Sequence, residues 1–384
     1  MRVKKAVSVI LTALVISAVC VILCGCAAVG YTVFDATACF SEDILFSAQI
    51  MGGRADYAHK RMTAVITEID KQVSLTRADS DLNRFNRAAE GERVPVGKHT
   101  YTLFNLALEY YDITGGAFNC AAEPLSELWH VDATSIAEQK GALLELPSPS
   151  EVQGVLSYCN PTSVTAQTTD GAYYLIKSDE RTKLDFGGIA KGYAVDECVK
   201  ILREYDVTSA LLDISGNAYF YGRRIEGSSA SDWHVGVTSP RPRAGQTLSR
   251  GYVCALSLGG DESAVTSGDY MRYYVQSVGG KDVYVPHIIG ASGVPIGVEY
   301  KDGEWKNSDE WVISATVIGK SSAVCDILST AVCALGMDEG ARLLKKVGYK
   351  GLIFTEKRFT IIGDVQLYKP DIYNGHAEYV YDEL

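Results

Sequence analysis

The chain has 384 residues, of which 47% are hydrophobic and 22% are charged. This composition is typical of a globular protein and excludes a largely disordered one. The formal net charge of −11 argues against nucleic acid as a partner, because phosphate backbones require a basic face.

The N-terminus has the pattern of an export signal. Arg2, Lys4 and Lys5 precede an apolar run of 18 residues over 6–23, as in a signal peptide. The run ends in Leu-Cys-Gly-Cys, which resembles a bacterial lipobox with Cys26 as the lipidated residue. The alternative is an uncleaved membrane anchor, because such a run could just span a bilayer. Either way the sequence predicts an exported chain, and the lipobox predicts a lipid anchor on the extracytoplasmic face of a bacterial cell membrane.

The remaining cysteines indicate neither a zinc site nor a disulfide framework. Seven follow Cys26, and no CxxC pair occurs among them. An odd number at wide spacings, mostly within apolar patterns, favours buried free thiols.

The predicted elements mix helices and strands. Apolar residues spaced by three and four predict helices over residues 57–73, 100–114, 151–159, 189–205, 321–335 and 338–347. Strands are predicted within residues 27–52, over 172–177, as a pair over 210–222, over 311–319 and as a hairpin over 350–362, with residues 223–310 rich in strands. Because strict βαβ alternation is lacking, the predicted fold class is α+β, with mixed sheets and packed helices.

Residues 184–198, LDFGGIAKGYAVDEC, are predicted to run from a strand end through a glycine turn into a helix. Gly187 and Gly188 permit backbone angles and close approaches that a Cβ would block. The helix N-terminus favours a bound anion, and Asp185 and Lys191 add one charge of each sign. One interpretation is a seat for a phosphate and a metal ion. The other is an ordinary connection with Asp185 as a local cap.

A second candidate site lies on the helix over residues 321–335. Asp326 and Thr330 are four residues apart and share one helix face, and their apolar neighbours predict that the face is buried. A buried carboxylate is costly unless it is paired or binds a cation. Carboxylate and hydroxyl oxygens suit Mg²⁺ better than Zn²⁺. The alternative is an Asp satisfied by a neighbouring backbone group or a lysine.

Seven motifs, taken together and in order, resemble the ApbE family of FAD:protein FMN transferases over roughly residues 34–345. They are SDLNRFN (80–86), GGAFN (115–119), LDFGGIAKGYAVD (184–196), SGNAYFYG (215–222), TSGDYMRYY (266–274), HIIGASG (287–293) and CDILSTAVCALG (325–336). The resemblance implies a T-fold-related architecture. It also implies a transferase domain over residues 34–365, after a signal peptide (1–25) and a tether (26–33) and before a C-terminal tail (366–384).

The resemblance further implies the roles of individual residues. FAD, the substrate, would be bound by Ala117, Phe118, Asn119, Asp185, Lys191 and Ile288. Mg²⁺ would be held by the main-chain oxygen of Gly188 and the side chains of Asp326 and Thr330. His287 is the candidate for helping to deprotonate the acceptor hydroxyl, and Asp269 for supporting the site. The separate phosphate and metal interpretations would then be two halves of one site.

The implied reaction is Mg²⁺-dependent transfer of FMN from FAD to a Thr or Ser hydroxyl of an exported or membrane redox protein, with release of AMP. The partners would be FAD, an acceptor with an FMN-binding domain, and the membrane through the lipid anchor, but not nucleic acid. Two alternatives share the same features: an FAD pyrophosphatase that releases FMN and AMP, and a non-catalytic FAD-binding lipoprotein.

The chain departs from the family pattern at three places. Asn119 stands where the family usually has Asp, and Thr76 stands where a Tyr is common. The HIIGASG motif is one residue shorter than its family counterpart and lacks an Asp and a Pro. These departures concern the flavin end of the implied site, while the metal end retains the family residues.

Overall fold

The computed structural model describes residues 30–131, 145–241, 251–368 and 380–381. The predicted signal peptide, Cys26 and the first residues of the tether lie outside the described residues, as does most of the predicted C-terminal tail. Within the ranges described, no helix combines the length and the apolar character needed to cross a bilayer.

The helices and strands follow the chain as listed here. The helices are α1 (Ala55–Val73), α2 (Asp81–Arg87), α3 (Lys98–Ile113), α4 (Glu123–Leu128), α5 (Pro149–Leu156), α6 (Ala190–Glu204), α7 (Ser322–Leu335) and α8 (Met337–Val347), with a 3₁₀ turn at Pro161–Ser163. The strands are β1 (Tyr31–Cys39), β2 (Ser41–Met51), β3 (Val94–Val96), β4 (Val164–Thr169), β5 (Ala172–Lys177), β6 (Ser209–Ile214), β7 (Asn217–Tyr221), β8 (Arg224–Glu226), β9 (Ser229–Ser231), β10 (Trp233–Thr238), β11 (Tyr252–Leu258), β12 (Glu262–Gly268), β13 (Tyr273–Val278), β14 (Lys281–Pro286), β15 (Val298–Lys301), β16 (Glu304–Asn307), β17 (Ser314–Gly319), β18 (Lys350–Phe354), β19 (Arg358–Ile362) and β20 (Val380–Tyr381).

A nine-stranded sheet forms the centre of the molecule, in the order β1-β2-β6-β7-β12-β17-β18-β19-β20. Neighbouring strands are antiparallel except for the parallel pair β19 and β20. Side chains alternate between its two faces. In β6, Leu212 and Ile214 pack on the face that carries the helices, whereas Leu211 packs on the opposite face.

Each face of the central sheet has its own cover. Helices α1, α6 and α7 bury one face in the largest apolar cluster. The β10–β11 hairpin covers the other face with Trp233, Val235 and Leu256. A third cluster joins α4 and α5 to the β13–β14 and β15–β16 hairpins, and it includes Trp129 and Trp305. The central sheet and the helices on one of its faces thus hold the segments that carry the candidate site.

Most predicted elements are confirmed, and the fold class is α+β as expected. The six predicted helices correspond to α1, α3, α5, α6, α7 and α8, and the strand over residues 172–177 is β5. The strand predicted over residues 311–319 begins only at Ser314. The seven cysteines from Cys39 onward are free thiols, all buried except the partly exposed Cys39.

The prediction that Leu184–Phe186 ends a strand was wrong. These residues lie in irregular backbone, and side-chain and loop partners replace a strand neighbour. Asn86 Nδ2 donates to the Leu184 carbonyl at 2.9 Å, and the Leu184 N–H donates to Asn86 Oδ1 at 2.8 Å. The Asp185 N–H donates to the Cys120 carbonyl at 2.8 Å. The segment is therefore held by the SDLNRFN motif and by the residue that follows the GGAFN motif.

Candidate functional site

Helices α6 and α7 lie against each other in antiparallel directions. The carboxylate of Asp196 on α6 accepts the Ser321 Oγ–H at 2.7 Å and the N–H groups of Ser322 and Ala323 at 2.7 and 3.0 Å. It thereby caps the N-terminus of α7. A Cβ at Gly192 would collide with the Ser322 carbonyl, so glycine permits this close approach. The pairing brings the start of α6 to the middle of α7.

The glycine turn before α6 is shaped by close packing. Neither Gly187 nor Gly188 has a positive φ, so unusual backbone angles are not the reason for the glycines. A Cβ at Gly188 would lie 3.1 Å from Phe118 Cε2 and 3.5 Å from Thr330 Oγ1. The Asp185 carboxylate accepts the Gly187 N–H at 2.7 Å, which is the local cap that the sequence allowed.

Lys191 connects the turn to α7. Its Nζ donates to the Gly187 carbonyl at 2.9 Å and lies 3.6 Å from Asp326 Oδ1. The Gly192 N–H donates to Asp326 Oδ2 at 3.0 Å. In a longer helix that N–H would bond to the Gly188 carbonyl. The alternative in which a lysine and a backbone N–H satisfy Asp326 is therefore realised in the structure, and it places the carboxylate beside the turn.

Asp326 is a buried carboxylate on a largely apolar helix. Its side chain is 3% exposed. Burial raises its pKa, while the Lys191 charge and hydrogen bonds from Gly192, Lys191 and the Asn217 side chain lower it. Because burial is the largest of these effects, the carboxyl group would be stabilised as an anion by a nearby cation.

Thr330 lies one turn after Asp326 on the same helix. Its hydroxyl donates to the Asp326 carbonyl at 3.1 Å and lies 3.3 Å from Ser267 Oγ. Ser267 Oγ is also 2.8 Å from Ser329 Oγ. The hydroxyl is therefore held in place from two sides, by α7 and by β12.

The donor set at this point fits Mg²⁺. Within residues 30–131, 145–241, 251–368 and 380–381, no group of three or more His, Cys, Asp or Glu side chains could hold a metal ion. The ligands implied by the family resemblance, the Asp326 carboxylate, the Thr330 hydroxyl and the Gly188 carbonyl, are instead all hard oxygen donors. Mg²⁺ is commonly bound by one or two carboxylates together with water and substrate phosphates. Burial raises the pKa of Asp326 despite its partners Lys191 and Gly192, so the anionic carboxylate would still gain from a bound cation.

The GGAFN residues form one wall of the site. Ala117 and Phe118 are buried, and the Phe118 ring faces Gly188. The Asn119 side chain donates from Nδ2 to the Cys159 carbonyl at 2.8 Å and accepts the Ala121 N–H at Oδ1 at 2.8 Å. An Asp at this position could not make the first of these bonds. The departure from the family pattern therefore matches a local requirement for an amide.

His287 and Ile288 follow strand β14. Ile288 is buried, and its carbonyl accepts the Ile296 N–H at 2.9 Å. His287 Nδ1 lies 3.1 Å from the Arg272 carbonyl, so Nδ1 carries the proton and Nε2 is the acceptor. Burial and the positive charges of Arg272 and Lys191 lower the pKa of His287 to about 3. The imidazole is therefore neutral at pH 7.

The shortened HIIGASG motif forms a tight turn. The Gly290 N–H donates to the Val294 carbonyl at 2.9 Å, and the Gly293 N–H donates back to the Gly290 carbonyl at 2.9 Å. Trp129 Nε1–H donates to the Gly293 carbonyl at 2.9 Å. Thr76, the other departure, is exposed, and its hydroxyl lies 3.0 Å from Ser74 Oγ.

Asp269 belongs to a separate buried network. Its carboxylate accepts two hydrogen bonds from the Arg241 guanidinium, at 2.8 and 2.7 Å, and one from Trp311 Nε1–H at 2.8 Å. Arg241 Nε–H also donates to Glu356 at 2.7 Å. The structure thus gives this Asp of the TSGDYMRYY motif a buried ion pair and hydrogen bonds, and a catalytic role for it stays a prediction.

Several residues that shape the site were not singled out from the sequence. Asn86 holds Leu184, Asp196 caps α7, Ser267 contacts Thr330 and Asn217 contacts Asp326. All four lie within the quoted motifs or next to them. Their roles depend on partners distant in the chain, which only the fold brings close.

Comparison with known proteins agrees with this fold and these motifs. The model of the ApbE family matches residues 32–353. A Klebsiella pneumoniae (strain 342) protein named FAD:protein FMN transferase is 28% identical over 326 residues, covering 83% of this chain and 90% of the relative. A Treponema pallidum (strain Nichols) protein of the same name is 28% identical over 314 residues, 78% of each chain.

A solved structure shows the same fold. The crystal structure of the ApbE protein from Thermotoga maritima superposes with a TM-score of 0.68 at 23% identity, covering 88% of this chain and 97% of that one. The architecture is thus the α+β fold of ApbE structures. Because the family model spans most of the chain, this protein belongs to the ApbE family.

Proposed function

We propose that this chain is a FAD:protein FMN transferase that moves FMN from FAD to a Thr or Ser hydroxyl of an exported or membrane redox protein and releases AMP. One observation carries the proposal: the turn at Gly187 and Gly188 meets Asp326 and Thr330. A helix N-terminus, a lysine and hard oxygen donors thereby lie at one point, as binding of a pyrophosphate with Mg²⁺ requires. The names of the relatives support it.

Asp326, Thr330 and the Gly188 carbonyl would hold the Mg²⁺. When bound, Mg²⁺ supplies neutralisation of the FAD pyrophosphate and of the AMP leaving group. A Cβ added at Gly188 would lie 3.5 Å from the Thr330 hydroxyl, and Lys191 beside the turn lies 3.6 Å from Asp326. The turn and the two side chains of α7 therefore lie in one region of the fold.

Lys191 and the first turn of α6 bind and orient the phosphates in this proposal. The Lys191 ammonium is partly exposed, at 21%, and already lies beside Asp326. The N-terminus of α6 adds its positive dipole end. Such reactions depend on charge stabilisation and alignment more than on covalent help. The flavin would lie beside Phe118 and Ile288, which form part of the apolar core.

The reaction exchanges one phosphorus–oxygen bond for another. The acceptor hydroxyl oxygen forms a bond to the FMN phosphorus while the bond between that phosphorus and the bridging oxygen breaks. AMP leaves with the bridging oxygen, and the hydroxyl proton passes to His287 Nε2. Because the pKa of His287 is lowered to about 3, it is a weak base that accepts the proton late, as the bond to phosphorus forms.

Asp269 supports the reaction indirectly in this proposal. Its pairing with Arg241 and Trp311 fixes the backbone after β12, the strand that carries Ser267.

We also propose that the chain is lipid-anchored at Cys26 on the extracytoplasmic face of a bacterial membrane, where it would meet an acceptor with an FMN-binding domain. A wild-type protein that takes up no labelled fatty acid would favour the plain anchor instead.

The test incubates the protein with FAD, Mg²⁺ and an FMN-binding acceptor domain. Flavin fluorescence that stays with the acceptor in a denaturing gel supports transfer, together with AMP released in equal amount. Free FMN without labelled acceptor would instead indicate a pyrophosphatase, and unchanged FAD a storage protein. Asp326→Ala is expected to abolish Mg²⁺-dependent turnover without unfolding the chain. Normal rates in this variant would remove the metal assignment.

The role of His287 has its own readout. His287→Gln is expected to lower kcat while FAD binding, followed by flavin fluorescence, changes little. An unchanged kcat would remove His287 from the proton transfer.

A further inference from the structure

The first residue of β7, Asn217, lies beside the candidate metal site. It is 1% exposed and pairs with Ile214 on one side and Val265 on the other. Like Tyr219 two residues later, its side chain faces the helices that cover the central sheet, and its interaction with Asp326 lowers the pKa of that carboxyl group. Its Oδ1 is buried and has no hydrogen-bond partner.

The backbone around Asn217 is firmly held. The Gly216 N–H donates to Asp213 Oδ1 at 2.9 Å, and the Leu45 N–H donates to Ser215 Oγ at 2.9 Å. The Ser215 N–H donates to the Leu45 carbonyl at 3.1 Å. Ser215 and Gly216 form the tight turn with φ values of 43° and 92°. The Asn217 side chain therefore starts from a fixed position.

A buried amide oxygen without a partner is unfavourable unless something else satisfies it. The same amide interacts with Asp326, the carboxylate assigned to Mg²⁺. Mg²⁺ usually keeps several of its waters, and those waters are hydrogen-bond donors. A hydrated cation at Asp326 would supply the donor that Asn217 Oδ1 lacks.

We propose that Asn217 is a positioning residue for the cation site, with its N–H orienting the Asp326 carboxylate and its Oδ1 accepting a hydrogen bond from a cation-bound water. The proposal rests on the metal assignment made above. It predicts that Asn217 controls cation affinity even when FAD is absent. Residues that orient metal ligands typically change affinity by about 10–100-fold when replaced.

The test measures Mn²⁺ binding to the FAD-free protein by electron paramagnetic resonance, with Mn²⁺ as the probe for Mg²⁺. Asn217→Leu keeps the number and branching of the side-chain heavy atoms and removes both polar groups, and it is expected to weaken binding at least about 10-fold. Asn217→Asp keeps an oxygen and adds charge, and it is expected to bind Mn²⁺ at least as tightly as the wild type. Its melting temperature should fall without metal and recover with Mn²⁺, because two carboxylates then face each other.

Thr360→Val is the matched control. The Thr360 hydroxyl oxygen is also buried without a partner, but it lies on β19, three strands beyond β12 in the sheet. Its removal should leave Mn²⁺ affinity unchanged. An affinity of Asn217→Leu within twofold of the wild type would overturn the proposal, as would an Asn217→Asp variant that binds Mn²⁺ more weakly than the wild type. Wild-type protein that binds no Mn²⁺ would overturn the metal assignment itself, whereas a failure to transfer FMN with normal Mn²⁺ binding would overturn only the proposed reaction.

Discussion

The Lys191 ammonium lies 3.6 Å from the Asp326 carboxylate while it donates to the Gly187 carbonyl at 2.9 Å. One side chain thus contacts both the turn before α6 and the buried face of α7. The contact joins two positions that are 135 residues apart in the chain. It is the point at which the predicted phosphate and metal features become one site.

Replacing Lys191 by Met should remove this positive charge with little change in volume. The kcat/KM for FMN transfer is expected to fall about 100-fold, because a preorganised charge beside the reacting phosphates is lost. The measurement is acceptor labelling at several FAD concentrations. Lys183→Met is the control, since Lys183 makes a surface pair with Glu127 at 2.6 Å, and it should behave as wild type. Equal losses in both variants would point to a general charge effect.

Gly188→Ala tests the close packing of the turn. The added Cβ would lie 3.1 Å from Phe118 Cε2 and 3.5 Å from Thr330 Oγ1, so either the Phe118 ring or the turn must move slightly. Transfer is expected to fall about 10–100-fold from misplacement, and stability to fall by about 1–3 kcal/mol from overpacking. Gly154→Ala in α5 meets nothing within 4 Å and should stabilise the helix by about 0.5–1 kcal/mol. Wild-type activity in Gly188→Ala would show that the turn has room to spare.

Helix positions were accessible from the sequence because their apolar periodicity is local. The placement of Asp326 and Thr330 on one buried face followed from the same spacing. The irregular backbone at Leu184 was not accessible, because it depends on Asn86, nearly a hundred residues earlier. The role of Asn217 could not be predicted for the same reason, because the sequence of a tight turn does not show whether Asp326 lies nearby in the fold.

Asn119→Asp would restore the residue that the family usually carries. We expect a loss of about 1–3 kcal/mol in stability, because a carboxylate cannot donate to the Cys159 carbonyl now bonded at 2.8 Å. Thermal or urea unfolding measures this. Asn105→Asp, which removes an exposed bond to the Tyr101 carbonyl, should stay within about 0.5 kcal/mol of wild type. A stable Asn119→Asp protein with tighter FAD binding would reverse the interpretation.

Asp213 predicts how stability depends on pH. Burial raises its pKa from 3.8 to about 6, against a lowering hydrogen bond from the Gly216 N–H. The folded state therefore binds more protons than the unfolded state between about pH 4 and 6, and its contribution to stability falls as pH rises through that window. Asp213→Asn keeps an oxygen for Gly216 and removes the titration. The Asp213 side chain is partly exposed, which reduces the energetic effect of its pKa shift. The Asp213→Asn variant should therefore be more stable than the wild type by about 1–2 kcal/mol at pH 7. The measurement is urea unfolding at pH 4 and 7, and parallel wild-type and variant profiles would contradict it.

The Asp196 cap couples assembly of the site to completion of the fold. Its carboxylate holds the first residues of α7. The two helices can therefore pack in their native register only when the strands between them in the sequence have folded. Contacts so distant in sequence form late, once much of the chain has been ordered. A chain emerging unfolded, or cut between the two helices, would hold neither half of the site in working geometry. Cation binding would then report that the molecule has finished folding.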